Sequence, residues 1–479
     1  MIKYDIILKK GKLVDPLNNV EGIYDVGIKD GIIIDIDQEL SYTDADQVLD
    51  VQGQIVMPGV VDSHVHIVRP DSKAAGYRML IRAGVTTAFD FRGPVNRVVE
   101  EIIPYGYGLN VGVLNGIFPG NGIKDTKGSA TDIYDYINKS VDEGALGVKL
   151  LGGHFPLEPE TANLIIKTAS KEKAYVAYHA GSTKNGSNIN GLEEAITSAD
   201  GLPLHLAHVN SYCRGLINSP LEEVHKALDL LEKNPNIVSE SYLSALNGTT
   251  GDLDEDLLPK SHVTRSCLKM NNYEATKEGL GQALKDSICG LYMRIGEEMQ
   301  LVWGIEAYER WVQNGHKGNI CFHVNSPIST VSCAVSKNKD NRFIVDAIST
   351  DGGSIPRNCI ISSGLLLVEY GAITLKDFVW KASYMPAQLF GLTNKGHLSL
   401  GADADIVVVD PINKEAKITI TNGKIAMIDG YLIKQPGNLI TTERAAKSLK
   451  EKSVPFKTVD LDQSIFLGGR DRVYSNRRG

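Results

Sequence analysis

No stretch of the 479-residue sequence approaches the roughly 18 to 20 consecutive apolar residues that a membrane span requires, and the opening Met1-Ile2-Lys3-Tyr4-Asp5 has no signal-peptide pattern. The expectation is a cytoplasmic protein with no membrane partner. Cysteine is scarce: Cys213, Cys267, Cys289, Cys321, Cys333 and Cys359 lie far apart, with no CxxC pair. That argues against a disulfide framework and a thiolate zinc site and leaves buried free thiols. Surplus positive charge is also lacking. Lys and Arg number 50 against 58 Asp and Glu, a formal net charge of −8, which disfavours nucleic acid as a main partner. The basic end, 470–478, is too short to alter this. No G-x-G-x-x-G or P-loop follows a strand pattern, so nucleotide-binding modules are disfavoured too.

What is present is an ordinary globular composition, 42% hydrophobic and 23% charged, in a chain long enough for one large domain and a satellite. Short strand patterns at 5–9, 25–29 and 32–36, with turns at Lys10-Gly11-Lys12 and Lys29-Asp30-Gly31, mark a small β-sheet unit. The same texture returns at 404–409, 416–421 and 424–428, so 1–57 and 392–479 are expected to form one domain. Between them, strand patterns at 56–66, 86–91, 111–116, 146–151, 174–179, 202–209, 237–242 and 345–351 alternate with helical ones. Eight such repeats predict an α/β fold, a parallel (β/α)₈ barrel over 58–391. The 243–343 segment exceeds any ordinary barrel connection and reads as an insertion or lid, with a helix predicted over 296–312. Past Thr441, one helix is expected over 442–451, then a tail that wraps a neighbour or frays.

The strand Pro58-Gly59-Val60-Val61-Asp62-Ser63-His64-Val65-His66 ends in His-x-His. Alternate strand residues face the same way, so His64 and His66 can share one cation. Lys149 stands alone inside the apolar Gly144-Ala145-Leu146-Gly147-Val148-Lys149-Leu150. It either snorkels at a strand end or is desolvated. A desolvated lysine has a lowered pKa and can react with carbon dioxide to give a carbamate able to bridge two cations. His179 closes the next strand, where barrel enzymes collect catalytic residues. In Leu204-His205-Leu206-Ala207-His208 the two histidines lie three apart, so only one is expected to look inward; His208, nearer the carboxyl end, is preferred. Asp351, in Ser349-Thr350-Asp351-Gly352, sits where the last strand meets the active face and can bind a cation and accept a proton from water.

In order and strand placement, His64, His66, Lys149, His179, His208 and Asp351 resemble the binuclear amidohydrolase superfamily. The flanking stretches from Asp5 to Asp15 and from Gly396 to Asp410 are similar to that family's opening and returning strands. The resemblance implies a distorted (β/α)₈ barrel, a composite β-sandwich from both termini, and two metal ions, usually zinc. His64, His66 and Asp351 would hold the buried ion and His179 and His208 the exposed one. N6-carboxylated Lys149 and a hydroxide would bridge them. The hydroxide would attack the substrate carbonyl and Asp351 would pass the proton to the leaving nitrogen.

Ser239-Glu240-Ser241-Tyr242 and Ser349-Thr350-Asp351-Gly352 look like N-acyl-D-amino-acid deacylases. Ala88-Phe89-Asp90-Phe91-Arg92 lacks those enzymes' cysteine ligand, which points to the lysine-bridged branch that includes dihydroorotases and hydantoinases. The expected reaction is hydrolysis of a non-peptide amide C–N bond, first of all in an N-acyl-(D-)amino acid or related carboxylate-bearing amide. The alternative is opening of a cyclic amide or ureide. A deaminase, or a non-catalytic barrel in an oligomer, ranks lower. Arg69, Arg92 and Arg357 follow the first, second and eighth strands and, with His154 and Tyr242, are candidates for contact with a small-molecule substrate. Family members of this size often form homo-oligomers.

Overall fold

The structure is a computed structural model and describes residues 3–475; the last residues of the basic end, 476–479, lie outside it. The two ends of the chain meet through one long strand. Tyr4–Asp15 pairs antiparallel with Val20–Lys29 and is irregular between Leu8 and Gly11. Before that irregularity it pairs parallel with Ala45–Asp50, and after it with Ile55–Pro58. Gly11 permits the bend, since a Cβ there would lie 2.3 Å from Val56 Cγ2. Ile55–Pro58 then pairs with Ile406–Asp410, which brings the C-terminal strands into the same nine-stranded sheet. Ile6, Leu8, Val26, Ile28, Val56, Ile406, Val408 and Ile420 form its own core.

The barrel strands are β1 (Val60–His66), β2 (Val85–Asp90), β3 (Asn110–Pro119), β4 (Gly147–Leu151), β5 (Tyr175–His179), β6 (Leu204–Leu206), β7 (Ile237–Tyr242) and β8 (Ala347–Ser349). They pair in parallel in that order. β8 pairs with β7, the chain breaks at Thr350 and Asp351, and Gly352–Gly353 then pairs with β1, closing the ring. The predicted strand 56–66 is thus two, divided at Gly59 between the sheet domain and the barrel. The predicted 202–209 strand is only three residues long, because the chain turns at His208 into the short helical turn Val209–Tyr212.

The insertion is folded, not loose. Leu246–Thr250, Asn319–His323, Cys289–Ile295 and Glu298–Val302 form a four-stranded antiparallel sheet. Helices His262–Met270, Lys277–Lys285 and Gly304–Gln313 pack against it around Trp311, Phe322 and Leu284. The helix predicted over 296–312 starts only at Gly304. Met299, Gln300 and Leu301 are good helix formers, but Gly296, at φ +63°, turns the chain into a hairpin whose strand pairing overrides that propensity.

The tail also differs from expectation. From Asn438 onward it leaves the sheet domain, so the expected unit 392–479 is divided. Asn438–Thr441 pairs parallel with the start of β3, and Phe456–Thr458 pairs beside it. Phe466 stacks on Tyr175 at 4.0 Å, and the Arg470 guanidinium grips the buried Asp346 carboxylate at 2.6 and 2.7 Å. Among the described residues, no helix is long and apolar enough to cross a membrane.

Candidate active site

The carboxyl ends of the barrel strands open into a cavity of about 1230 Å³. β1 delivers His64 and His66 side by side. The break in β8 places Asp351 opposite them: its Oδ1 lies 2.9 Å from His66 Nε2 and 3.4 Å from His64 Nε2. Among the described residues these three form a group whose ligand atoms all lie within 4.8 Å of one another. The backbone at Asp351 is left-handed, φ +49°, a conformation uncommon for an aspartate and retained here at a functional position. Arg357 holds the other carboxylate oxygen and donates through Nε to the Asp351 carbonyl at 2.8 Å. Burial alone would raise the Asp351 pKa, but Arg357 and the two imidazoles outweigh it and hold the carboxyl well below its usual range.

His179 and His208 form a second pair, with ring centroids 4.3 Å apart. His179 Nε2 lies 3.0 Å from Ser187 Oγ and His208 Nδ1 lies 2.7 Å from Ser211 Oγ, so the opposite nitrogen of each ring is free for a ligand. Gly153 is packed against His179 so closely that a Cβ would sit 1.8 Å from Nε2. His208 reaches this place from a left-handed turn, φ +37°, beyond the end of β6. His205 on β6 and His208 beyond its end are both buried. His205 meets the Tyr175 hydroxyl at 2.8 Å and packs against Phe91 and Phe390. The opposite-faces argument does not apply because the strand ends between the two residues. Burial is the main cause that keeps His64, His179 and His208 neutral, the form in which imidazole binds a metal.

Lys149 is 1% exposed, its Nζ has no hydrogen-bond partner and lies over the Phe91 ring, 4.6 Å from its centroid. Burial lowers its pKa against the opposing pull of Glu240 and Asp351. An unpartnered amine whose pKa burial lowers, set among four histidines and a carboxylate, fits a site completed by carboxylation and divalent cations.

Sequence reasoning missed Glu240 as a site residue. Its fully buried Oε1 accepts from His64 Nδ1 at 2.7 Å and from the His208 amide at 2.9 Å, and its Oε2 accepts from Ser349 Oγ at 2.5 Å. One carboxylate therefore fixes a residue of each histidine pair. The available signal was its place in Ser239-Glu240-Ser241-Tyr242, a motif singled out as a whole and not for its acid.

The substrate candidates divide. Arg69 is partly buried in the cavity wall over the Tyr292 ring, with no hydrogen bond at Nε and a 3.5 Å ion pair to Asp71. Arg92 also lines the cavity; burial, and after it the Arg69 charge, lowers its pKa, as expected for two guanidiniums facing one space. His154 lines the cavity, and burial pushes its pKa down to about 4. Arg357 lines it too, but is committed to Asp351. Tyr242 stands behind the wall: Arg357 lies over its ring at 4.9 Å and its hydroxyl meets Arg214 and Asn325.

The parallel barrel gathers four histidines, a lysine and an aspartate at its strand ends. The model of the Amidohydrolase family matches residues 284–433, an amidohydrolase family domain. The chain is similar to an allantoinase of Enterococcus faecalis, at 23% identity over 85% of this chain and 87% of that one. Among solved structures it resembles D-aminoacylase, which has a binuclear metal centre, with a TM-score of 0.66 and 17% identity over 91% of this chain and 99% of that one. It also resembles D-hydantoinase from Thermus sp., with a TM-score of 0.57 and 16% identity over 91% and 98%.

Proposed function

We propose that the protein is a metal-dependent hydrolase that cleaves a non-peptide amide bond in a carboxylate-bearing substrate, such as an N-acyl-amino acid. The observation that carries this reading is Lys149, an unpartnered buried amine lining the same cavity as His64, His66, His179, His208 and Asp351. In this reading His64, His66 and Asp351 hold one divalent cation, His179 and His208 a second, and carboxylated Lys149 joins them. Zinc suits the nitrogen-rich donor set. When bound, such ions supply an activated water and polarise the amide carbonyl. Asp351, oriented by Arg357, takes a proton from the water and returns it to the leaving nitrogen. Arg69 and Arg92 hold the substrate carboxylate, a planar group that matches guanidinium geometry. A cyclic amide or ureide is the second reading, favoured by the likeness to allantoinase and D-hydantoinase.

Elemental analysis of purified protein is expected to give about two metals per chain, falling sharply in Lys149→Ala. Metal-loaded wild type should then cleave either N-acyl amino acids or cyclic ureides, which separates the two readings. Protein that binds no metal and gains no activity with added zinc or manganese would sink both.

A further inference from the structure

The insertion turns a second set of charges toward the same cavity. It is docked there by Asn319 Nδ2 donating to Asp71 at 2.6 Å and by His262 Nε2 at 2.8 Å from the Gly153 carbonyl. Its contribution to the lining includes Lys260, Arg265, Arg294 and Lys317. Among the described residues, no carboxylate lies within ion-pair distance of any of these four. The acids of the cavity wall are already engaged: Asp351 by Arg357, Asp71 by Arg69 and Asn319, and Asp252 by the Gly318 amide at 2.9 Å. A chain of formal charge −8 therefore presents a cavity with surplus positive charge in two places: Arg92 beside Arg69, whose one ion pair, to Asp71, is long at 3.5 Å, and the four cations of the insertion. A cleft with low-dielectric walls and charge of one sign concentrates ligands of the other sign. The cavity, at about 1230 Å³, also exceeds the roughly 300–1,000 Å³ of most small-ligand sites, so it has room beyond the amide and its first carboxylate.

We infer that the substrate is a dianion. Its first carboxylate sits on Arg69 and Arg92, and a second acidic group is held by the insertion cations Lys260, Arg265, Arg294 and Lys317. This deepens the amide-hydrolase reading and rests on it for the position of the scissile bond.

Binding is tested first with probes that cannot be hydrolysed. Isothermal calorimetry on metal-loaded protein compares glutarate with pentanoate and suberate with octanoate, matching chain length at two lengths. At least one dianion should bind about tenfold or more tighter than its monoanion, as one added charge-assisted contact allows. The excess should shrink toward unity in Lys260→Gln/Arg294→Gln/Lys317→Gln and in about 0.5 M salt, where exposed charges are screened. Monoanion affinity in the triple variant should stay within about twofold of wild type, because its contacts are at Arg69 and Arg92. Equal binding of monoanion and dianion at both lengths, or an excess unchanged in the triple variant, overturns the inference. Hydrolysis separates the two levels. If N-acetylglutamine or a neutral cyclic ureide is cleaved as well as N-acetylglutamate, the hydrolase reading stands and the dianion falls. If the dianion preference is present but the metal-loaded protein cleaves no amide, the hydrolase reading fails.

Discussion

At the residue scale, Glu240 links the two halves of the site. A carboxylate that accepts from the Nδ1 of His64, here proposed as a metal ligand, fixes the tautomer that leaves Nε2 free and would make that nitrogen a better donor. Glu240→Gln preserves volume and removes the charge. Zinc affinity, measured by chelator competition, is expected to fall about 10–100-fold, with an altered visible spectrum of the cobalt-substituted protein and little change in the apo-protein melting point. An unchanged affinity and spectrum would leave Glu240 with a packing role only. Lys149, His64, His66 and Asp351 were legible in the sequence because a lone lysine or a His-x-His inside an apolar strand is costly without a purpose. Glu240 was not, because a single acid in Ile237-Val238-Ser239-Glu240 gives no sign of which face is inward or what it meets. The role of Arg357 was hidden for a related reason: six residues of chain lead back to Asp351, and only the folded turn brings the guanidinium onto that carboxylate.

At the scale of elements, alternating strand and helix patterns foretold the barrel, but not where its strands stop. β6 and β8 both end in left-handed turns, and those turns aim His208 and Asp351. Hydrophobic periodicity carries no information about a single positive φ, so the strands were read as longer than they are. The tail was illegible for another reason. Its anchors are long-range pairs, β3 with Asn438–Thr441 and Asp346 with Arg470, that leave no local pattern. Asp346 is fully buried and also accepts from the Ser239 amide at 2.8 Å. Arg470→Ala strands that carboxylate one strand position from Glu240 and should cost about 3 kcal/mol, as breaking a buried pair from one side does. Denaturant unfolding would show the loss as a lower midpoint with an unchanged slope. A cost below about 0.5 kcal/mol would mean that the tail is not a latch and that water reaches Asp346 when Arg470 is gone.

At the scale of the whole molecule, one stretch of chain joins the two cores. Ile55–Pro58 belongs to the sheet domain and β1 follows it immediately, ending at His64 and His66. The His64–His66–Asp351 group is built from both closing edges of the barrel, β1 and the broken β8, so a cation held there, as proposed, would tie the seam of the ring. Ions that bind the folded chain and not the unfolded one stabilise it by mass action, about 4 kcal/mol at a concentration 1,000 times the dissociation constant. Stripping the protein with a chelator should therefore lower its calorimetric melting transition by several degrees, and zinc should restore it. In Lys149→Ala, which lacks the residue proposed to join the two ions, the same treatment should move the transition much less. Coincident melts of loaded and stripped wild type would place no metal at the seam. The His64–His66–Asp351 group would then be held by Arg357 and Glu240 alone, and the barrel would owe none of its closure to cations.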